Sequence, residues 1–230
     1  MVGVLVQLAI SWLLLWLLER KDLRALGVVP DKSRLNNLVF GFIAAAVCNI
    51  AYNVTLTTLT ENHWTRVSHF GITNFFSSFF WVLNSVLFEE LIFRGALLYI
   101  LIRKIGVVKA CLISATAFGF YHWFSYGIIG DPKAMFFVYV MTAIWGFMFA
   151  WAFAKTQSLY LPVALHLGWN LLHIVVFSDG PLGIQMFINA NDGTRLDGIP
   201  SLLMWLFQVV TLPVIVYVYL KRRRTVTSPE

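Results

Sequence analysis

The chain reads as long apolar runs separated by short polar segments. The runs cover roughly residues 2–18, 37–59, 73–102, 107–124, 134–154, 159–178 and 200–220. Each approaches the ~20 residues that cross the hydrocarbon core as a helix. They are too long and too evenly apolar for barrel strands, and a helix satisfies its own backbone groups in lipid. The pattern predicts an all-α fold, a polytopic transmembrane helical bundle of about seven spans. No connection is long enough for a second domain, so residues 1–230 are expected to form a single integral membrane domain. The first run has no basic residue before it and no small-residue cleavage site after it, which predicts an anchor and not a signal peptide.

Composition sharpens this picture. The chain is 59% hydrophobic and 12% charged, against about a quarter charged in soluble domains. A water-soluble globule is excluded. The net charge of +6 does not point to nucleic acid, because the positive residues flank the spans. Arg20, Lys21, Arg24, Lys32 and Arg34 follow the first run, and Lys221 to Arg224 follow the last. Alternate connections carry 13 and 3 Lys or Arg residues. The positive-inside rule then predicts an external N-terminus and a cytoplasmic C-terminus, with the cell membrane as the expected location. Cys48 and Cys111 fall inside apolar runs, so neither a disulfide framework nor a paired-cysteine metal site is indicated. No internal repeat is visible, which disfavours an inverted-repeat transporter. Segment 179–199, rich in Gly, Asn and Asp, reads as a connector, and Leu196-Asp197-Gly198 within it as a turn. The sequon Asn53-Val54-Thr55 lies in an apolar run and is read as chance.

Three charged residues sit deep in a span, all in the third: Glu89, Glu90 and Arg94. Such residues cost roughly 2.5–3.5 kcal/mol each at a helix centre and need partners or a wet cavity. Glu90 and Arg94 are four apart on one helix face, acid before base, which favours an ion pair. A purely structural pair locking helices together is the plain alternative to a catalytic role. Glu89 is turned by ~100° from Glu90 and is the carboxylate left free, placed to act as a base toward water.

Three histidines also fall in spans: His122 in the fourth, and His166 and His173 in the sixth. His63 and His69 lie in an external loop. A single intramembrane His is more often a bonded core residue, but two helices bearing them beside a Glu helix shift that balance. His166 and Asn170 are four apart and point one way, and His173 extends that face. Phe118, four residues before His122, can lie against the imidazole as structural support.

Glu89-Glu90-Leu91-Ile92-Phe93-Arg94 fits EExxxR, Phe118 to His122 fits FxxxH, and His166 to Asn170 fits HxxxN. In this order, each inside a span, they resemble the CPBP (Abi) family of intramembrane proteases, which includes type II CAAX prenyl endopeptidases and lysostaphin-resistance A-like proteins. The resemblance covers a core of about residues 73–178. It implies that Glu89 activates water with His122 beside it, and that His166 and Asn170 stabilise the oxyanion. Glu90, Arg94 and Phe118 are then structural support.

Metal use stays open at this level. Glu89, His122 and His166 suit a three-ligand zinc site, and the family is often labelled metalloprotease. No HExxH is present, and the glutamate-water chemistry needs no ion. The reading leans against an obligatory metal, with a divalent ion such as zinc as the alternative. One feature fits poorly. At 1.5 Å per residue, Glu89 and His122 lie ~20–24 Å along their helices and His166 only ~12 Å along its own. His173 matches that depth better and stands in reserve.

The leading function is an intramembrane endopeptidase acting on a membrane-associated protein or peptide. A non-proteolytic scaffold or bacteriocin-immunity-type binding protein of the same fold is the runner-up. A proton-coupled carrier using Glu89 and the histidines is the third class.

Overall fold

The computed structural model describes residues 2–177, 182–183, 185–190 and 195–222. Over these the chain is an all-α bundle. Its helices are α1 (Val2–Glu19), α2 (Lys32–Leu59), α3 (Ile72–Arg94), α4 (Ala96–Ile105), α5 (Val107–Ser125), α6 (Pro132–Thr156), α7 (Tyr160–Asn170) and α8 (Gly198–Arg222). Local chemistry sets several starts. Asp31 accepts the Arg34 N–H at 2.8 Å to cap α2, and Asp131 accepts the Ala134 N–H at 3.0 Å to cap α6, with Pro132 in its first turn. Pro162 lies in the first turn of α7 and breaks nothing.

α6 runs through the middle of the bundle, with Phe149 and Phe153 fully buried. It packs most extensively on α5, while α2 packs on α7. At Gly168 of α7 an added Cβ would lie 2.6 Å from the Phe42 carbonyl oxygen. The absent side chain is what lets these two backbones approach. α1 and α8 are peripheral and present Leu5, Trp12, Val210 and Tyr217 outward, as lipid-facing helices do. The connection between α1 and α2 holds the start of α7. Leu159 N–H donates to the Leu26 carbonyl at 3.2 Å, and the Ser158 hydroxyl donates to that of Gly27 at 3.0 Å. At the other end of α7, strands β1 (Trp64–Arg66) and β2 (Phe187–Asn189) pair antiparallel with Thr65 opposite Ile188. β2 lies within the 179–199 connector, of which 179–181, 184 and 191–194 fall outside the described residues. So do Arg223 and Arg224 of the basic tail.

The run expected as one span, 73–102, is two helices. They part at Gly95, where φ is −80° and ψ is −140°. That ψ lies outside the helical region, and an added Cβ would lie 2.1 Å from the Leu91 carbonyl oxygen. Only glycine fits the break. Ending α3 at Arg94 also removes the depth conflict between Glu89 and His166. Glu89 is ~8 Å from the end of its helix and His166 ~9 Å from the start of its own.

Five helices, α1, α2, α5, α6 and α8, are long and apolar enough to cross a membrane. The other two expected spans are α3 and the shorter apolar helix Tyr160–Val176. α3 is diluted by Asn74, Ser77, Ser78, Asn84 and Ser85 in addition to its three charges. A count of about seven is therefore not established, and the two exceptions are the helices that carry Glu89, Glu90 and Arg94 and His166, Asn170 and His173.

Gly95→Ala is expected to destabilise the folded protein by on the order of 1–3 kcal/mol. Thermal unfolding in detergent checks this, with the exposed Gly71, whose φ is −104° and whose added Cβ would meet only Asn74 Oδ1 at 3.8 Å, as the control position. An unchanged Gly95→Ala midpoint would contradict the account of the break.

Candidate active site

Trp81, Ser85 and Glu89 follow one another at helical spacing along α3 and line a cavity of about 730 Å³. Its other walls come from α5 with Phe118, Tyr121 and His122, α6 with Thr142, Trp145 and Phe149, and α7 with His166 and Asn170. His173 and Gln208 complete it. The volume lies in the range of small-molecule and peptide clefts. Glu89, His122, His166, Asn170 and the reserve residue His173 thus share one chamber.

The two adjacent glutamates have different surroundings. Glu90 and Arg94 are both fully buried. Arg94 Nε donates to Glu90 Oε2 at 2.6 Å, and Arg94 Nη2 donates to Glu90 Oε1. This two-pronged geometry is the strong form of a carboxylate–guanidinium contact. The guanidinium also lies 4.3 Å from the Phe118 ring centre and 5.2 Å from that of Phe149, positions that favour a cation on an aromatic face. Glu89 points into the cavity, 13% exposed, and its Oε2 is buried without a hydrogen-bond partner among the described residues. A bare carboxylate oxygen in such a place is open to water or a ligand.

His166 lies between the two acids. Its Nδ1 donates to Glu90 Oε1 at 2.8 Å, while Nε2 is 3.8 Å from Glu89 Oε2. Its ring stacks on Phe149 with centres 5.0 Å apart. Glu90 therefore does more than hold Arg94: it fixes the orientation of His166 and the proton on Nδ1, as carboxylates behind functional histidines do. Sequence reasoning missed this contact, because spacing along one helix carries no signal about a residue 76 positions away.

His122 is fixed by its own helix. Its Nδ1 donates to the Phe118 carbonyl at 2.8 Å, which in the neutral ring leaves the Nε2 lone pair available. The Phe118 ring meets that of His122 edge-on at 4.4 Å and that of His166 at 6.1 Å. Phe118 thus touches Arg94 and both histidines. The Trp81/Ser85/Glu89 stripe and Tyr126, four residues after His122, also line the cavity. Both were readable from helical spacing but were not singled out.

Glu89, His122 and His166, the zinc set considered from the sequence, all line the cavity. Among the described residues no three His, Cys, Asp or Glu side chains are grouped closely enough to hold a metal ion. Both histidines engage Nδ1 with protein oxygens, which leaves each Nε2 for a hydrogen bond or a ligand in the cavity.

Neither curated proteins nor solved structures gave a match. The family model described as type II CAAX prenyl endopeptidase Rce1-like matches residues 71–172. The match begins at the foot of α3 and ends just beyond Asn170, enclosing every side chain of the cluster formed by Glu89, Glu90, Arg94, Phe118, His122, His166 and Asn170. Residues 71–172 thus match the model of the family that the three motifs resemble, and the match holds the whole of the cluster.

Proposed function

We propose that this protein is an intramembrane endopeptidase that hydrolyses a peptide bond of a membrane-associated protein or peptide, with Glu89 as the base that activates water. The observation that carries the proposal is the unpartnered Glu89 Oε2 in a chamber shared with His122, His166 and Asn170. The family match supports the protease class. The charge bias supports a cytoplasmic C-terminus, and the apolar helices support a bilayer location.

In this mechanism water lies between Glu89 and the Nε2 lone pair of His122. Glu89 takes a proton as the water oxygen attacks the carbonyl carbon, and the carbonyl π pair moves onto oxygen. The Asn170 amide donates a hydrogen bond to that oxyanion. His166 adds a second donor when its ring carries protons on both nitrogens, since Nδ1–H is already committed to Glu90. Collapse of the intermediate expels the amine, which takes the proton from Glu89. One water is consumed, and a carboxylic acid and an amine are formed. A serine or cysteine nucleophile has no part in it, and no step is routed through an ion.

Glu89→Gln is expected to lower cleavage by 10²–10⁴-fold, the usual worth of a positioned general base. Terminal peptides of the membrane proteome, compared between cells expressing the native chain and the variant at equal level, read this directly. Peptide ends that persist unchanged would sink the hydrolase proposal in favour of a scaffold. Chelation by EDTA or phenanthroline is expected to leave the cleavage rate within about twofold of its starting value. Loss of activity that added zinc restores would replace the mechanism by one with metal-bound water.

Glu90→Gln strands a buried guanidinium and is expected to cost about 3–5 kcal/mol, seen as a much lower unfolding midpoint than that of Glu89→Gln. Pairing it with Arg94→Met should recover most of the stability, because a buried ion pair replaced by apolar groups is often near neutral. Activity should stay low in the double variant, since the Gln amide oxygen can accept from His166 Nδ1–H but no longer places a negative charge behind its ring. Full recovery of activity would show that Glu90 serves packing alone.

A further inference from the structure

His173 belongs to the wall of the same cavity, yet the mechanism above leaves it without work. Its Nδ1 is buried and has no hydrogen-bond partner among the described residues. A ring proton placed there would be an orphaned donor, which native structures avoid more strictly than an orphaned acceptor. The proton therefore belongs on Nε2, the ring nitrogen left available to the cavity. The backbone under His173 is also unusual. Residues Leu171–Val176 form a π turn directly after α7, an arrangement that recurs at functional sites because it re-aims side chains.

Spacing then says what the ring can reach. His173 is seven residues beyond His166, ~10 Å along a helix, and three residues of extended peptide span about the same distance. A substrate held with its scissile carbonyl near His166 and Asn170 brings an acceptor oxygen to His173 about three residues away. Ser85 and Gln208, also on the wall, make no side-chain hydrogen bond to a described residue. An extended peptide carries backbone groups that must find partners once they leave water, and these open groups meet that need.

We infer that His173 is a substrate-binding residue that donates a hydrogen bond from Nε2 to a carbonyl or terminal carboxylate oxygen about three residues from the bond that is cut. The assignment rests on the hydrolase reading above, since it takes the scissile bond to lie at His166 and Asn170. It sets which substrates are held and takes no part in proton transfer to the reacting atoms.

The test uses the full chain in lipid nanodiscs and a fluorescent peptide of CAAX form, S-prenylated on its cysteine, made as the free acid and as the C-terminal amide. Binding and cleavage are measured for the native chain, His173→Ala and His173→Gln. The Ala variant is expected to raise Kd and KM about tenfold, the scale of one hydrogen bond, with kcat within about twofold. The Gln variant, which keeps an N–H donor, should recover most of the loss. If the acceptor is the terminal carboxylate, the native chain prefers the acid and the Ala variant loses that preference; if it is a backbone carbonyl, the loss is equal for both peptides. Native-like Kd and KM in the Ala variant overturn the assignment. So does an equal loss in Ala and Gln that follows a lowered unfolding midpoint. Binding that depends on His173 without cleavage by the native chain would remove the hydrolase reading and leave the contact in place, whereas cleavage indifferent to His173 does the reverse.

Discussion

A fully buried ion pair inside an apolar bundle is the constraint on which the site depends. Glu90 and Arg94 neutralise each other one turn apart on α3, and neither reaches water. Such a pair is tolerable only when the remaining hydrogen-bonding capacity finds partners. The neighbouring helices supply part of this: His166 from α7 bonds the carboxylate, while Phe118 from α5 and Phe149 from α6 lie on the guanidinium, whose Nη1 has no hydrogen-bond partner among the described residues. Four helices are thereby registered against one another at a single point. The chamber lined by Glu89, His122 and Asn170 is the space left beside it.

Neighbouring positions on a helix do opposite jobs because they differ by ~100° in direction. Glu90 faces the packed interior, where charge must be paired. Glu89 faces the cavity, where an unpaired oxygen is useful. The break at Gly95 completes the arrangement by ending α3 soon after Arg94. The acids therefore sit near a helix end, at a depth that the short α7 can match.

The all-α class was legible because hydropathy over some 20 residues is a direct readout of a bilayer. The shared face of Glu90 and Arg94 was legible too, since an i,i+4 relation is fixed by the helix alone. What stayed hidden depends on rotations and distances between helices. The bond from His166 to Glu90 joins residues 76 positions apart, and no local pattern announces it. Gly95 sits inside a run that reads as one span, so the break there is visible only in its backbone angles and in how close an added Cβ would come to the Leu91 carbonyl. The count of about seven spans is not confirmed, because α3, which holds the acids, is more polar and the helix that holds His166 and His173 is shorter than the five long apolar helices. Arg223 and Arg224 of the basic tail lie outside the described residues, so the sidedness rests on charge alone.

The order in which the partners are synthesised follows from where they lie on the chain. Glu90 and Arg94 leave the ribosome within one turn of each other, so α3 can enter the bilayer already internally neutralised. The histidine that orients Glu90 emerges 76 residues later. Until then the acid is paired but the chamber has only part of its wall. A chain ending before α7 would hold the charge pair without the histidine that orients its carboxylate.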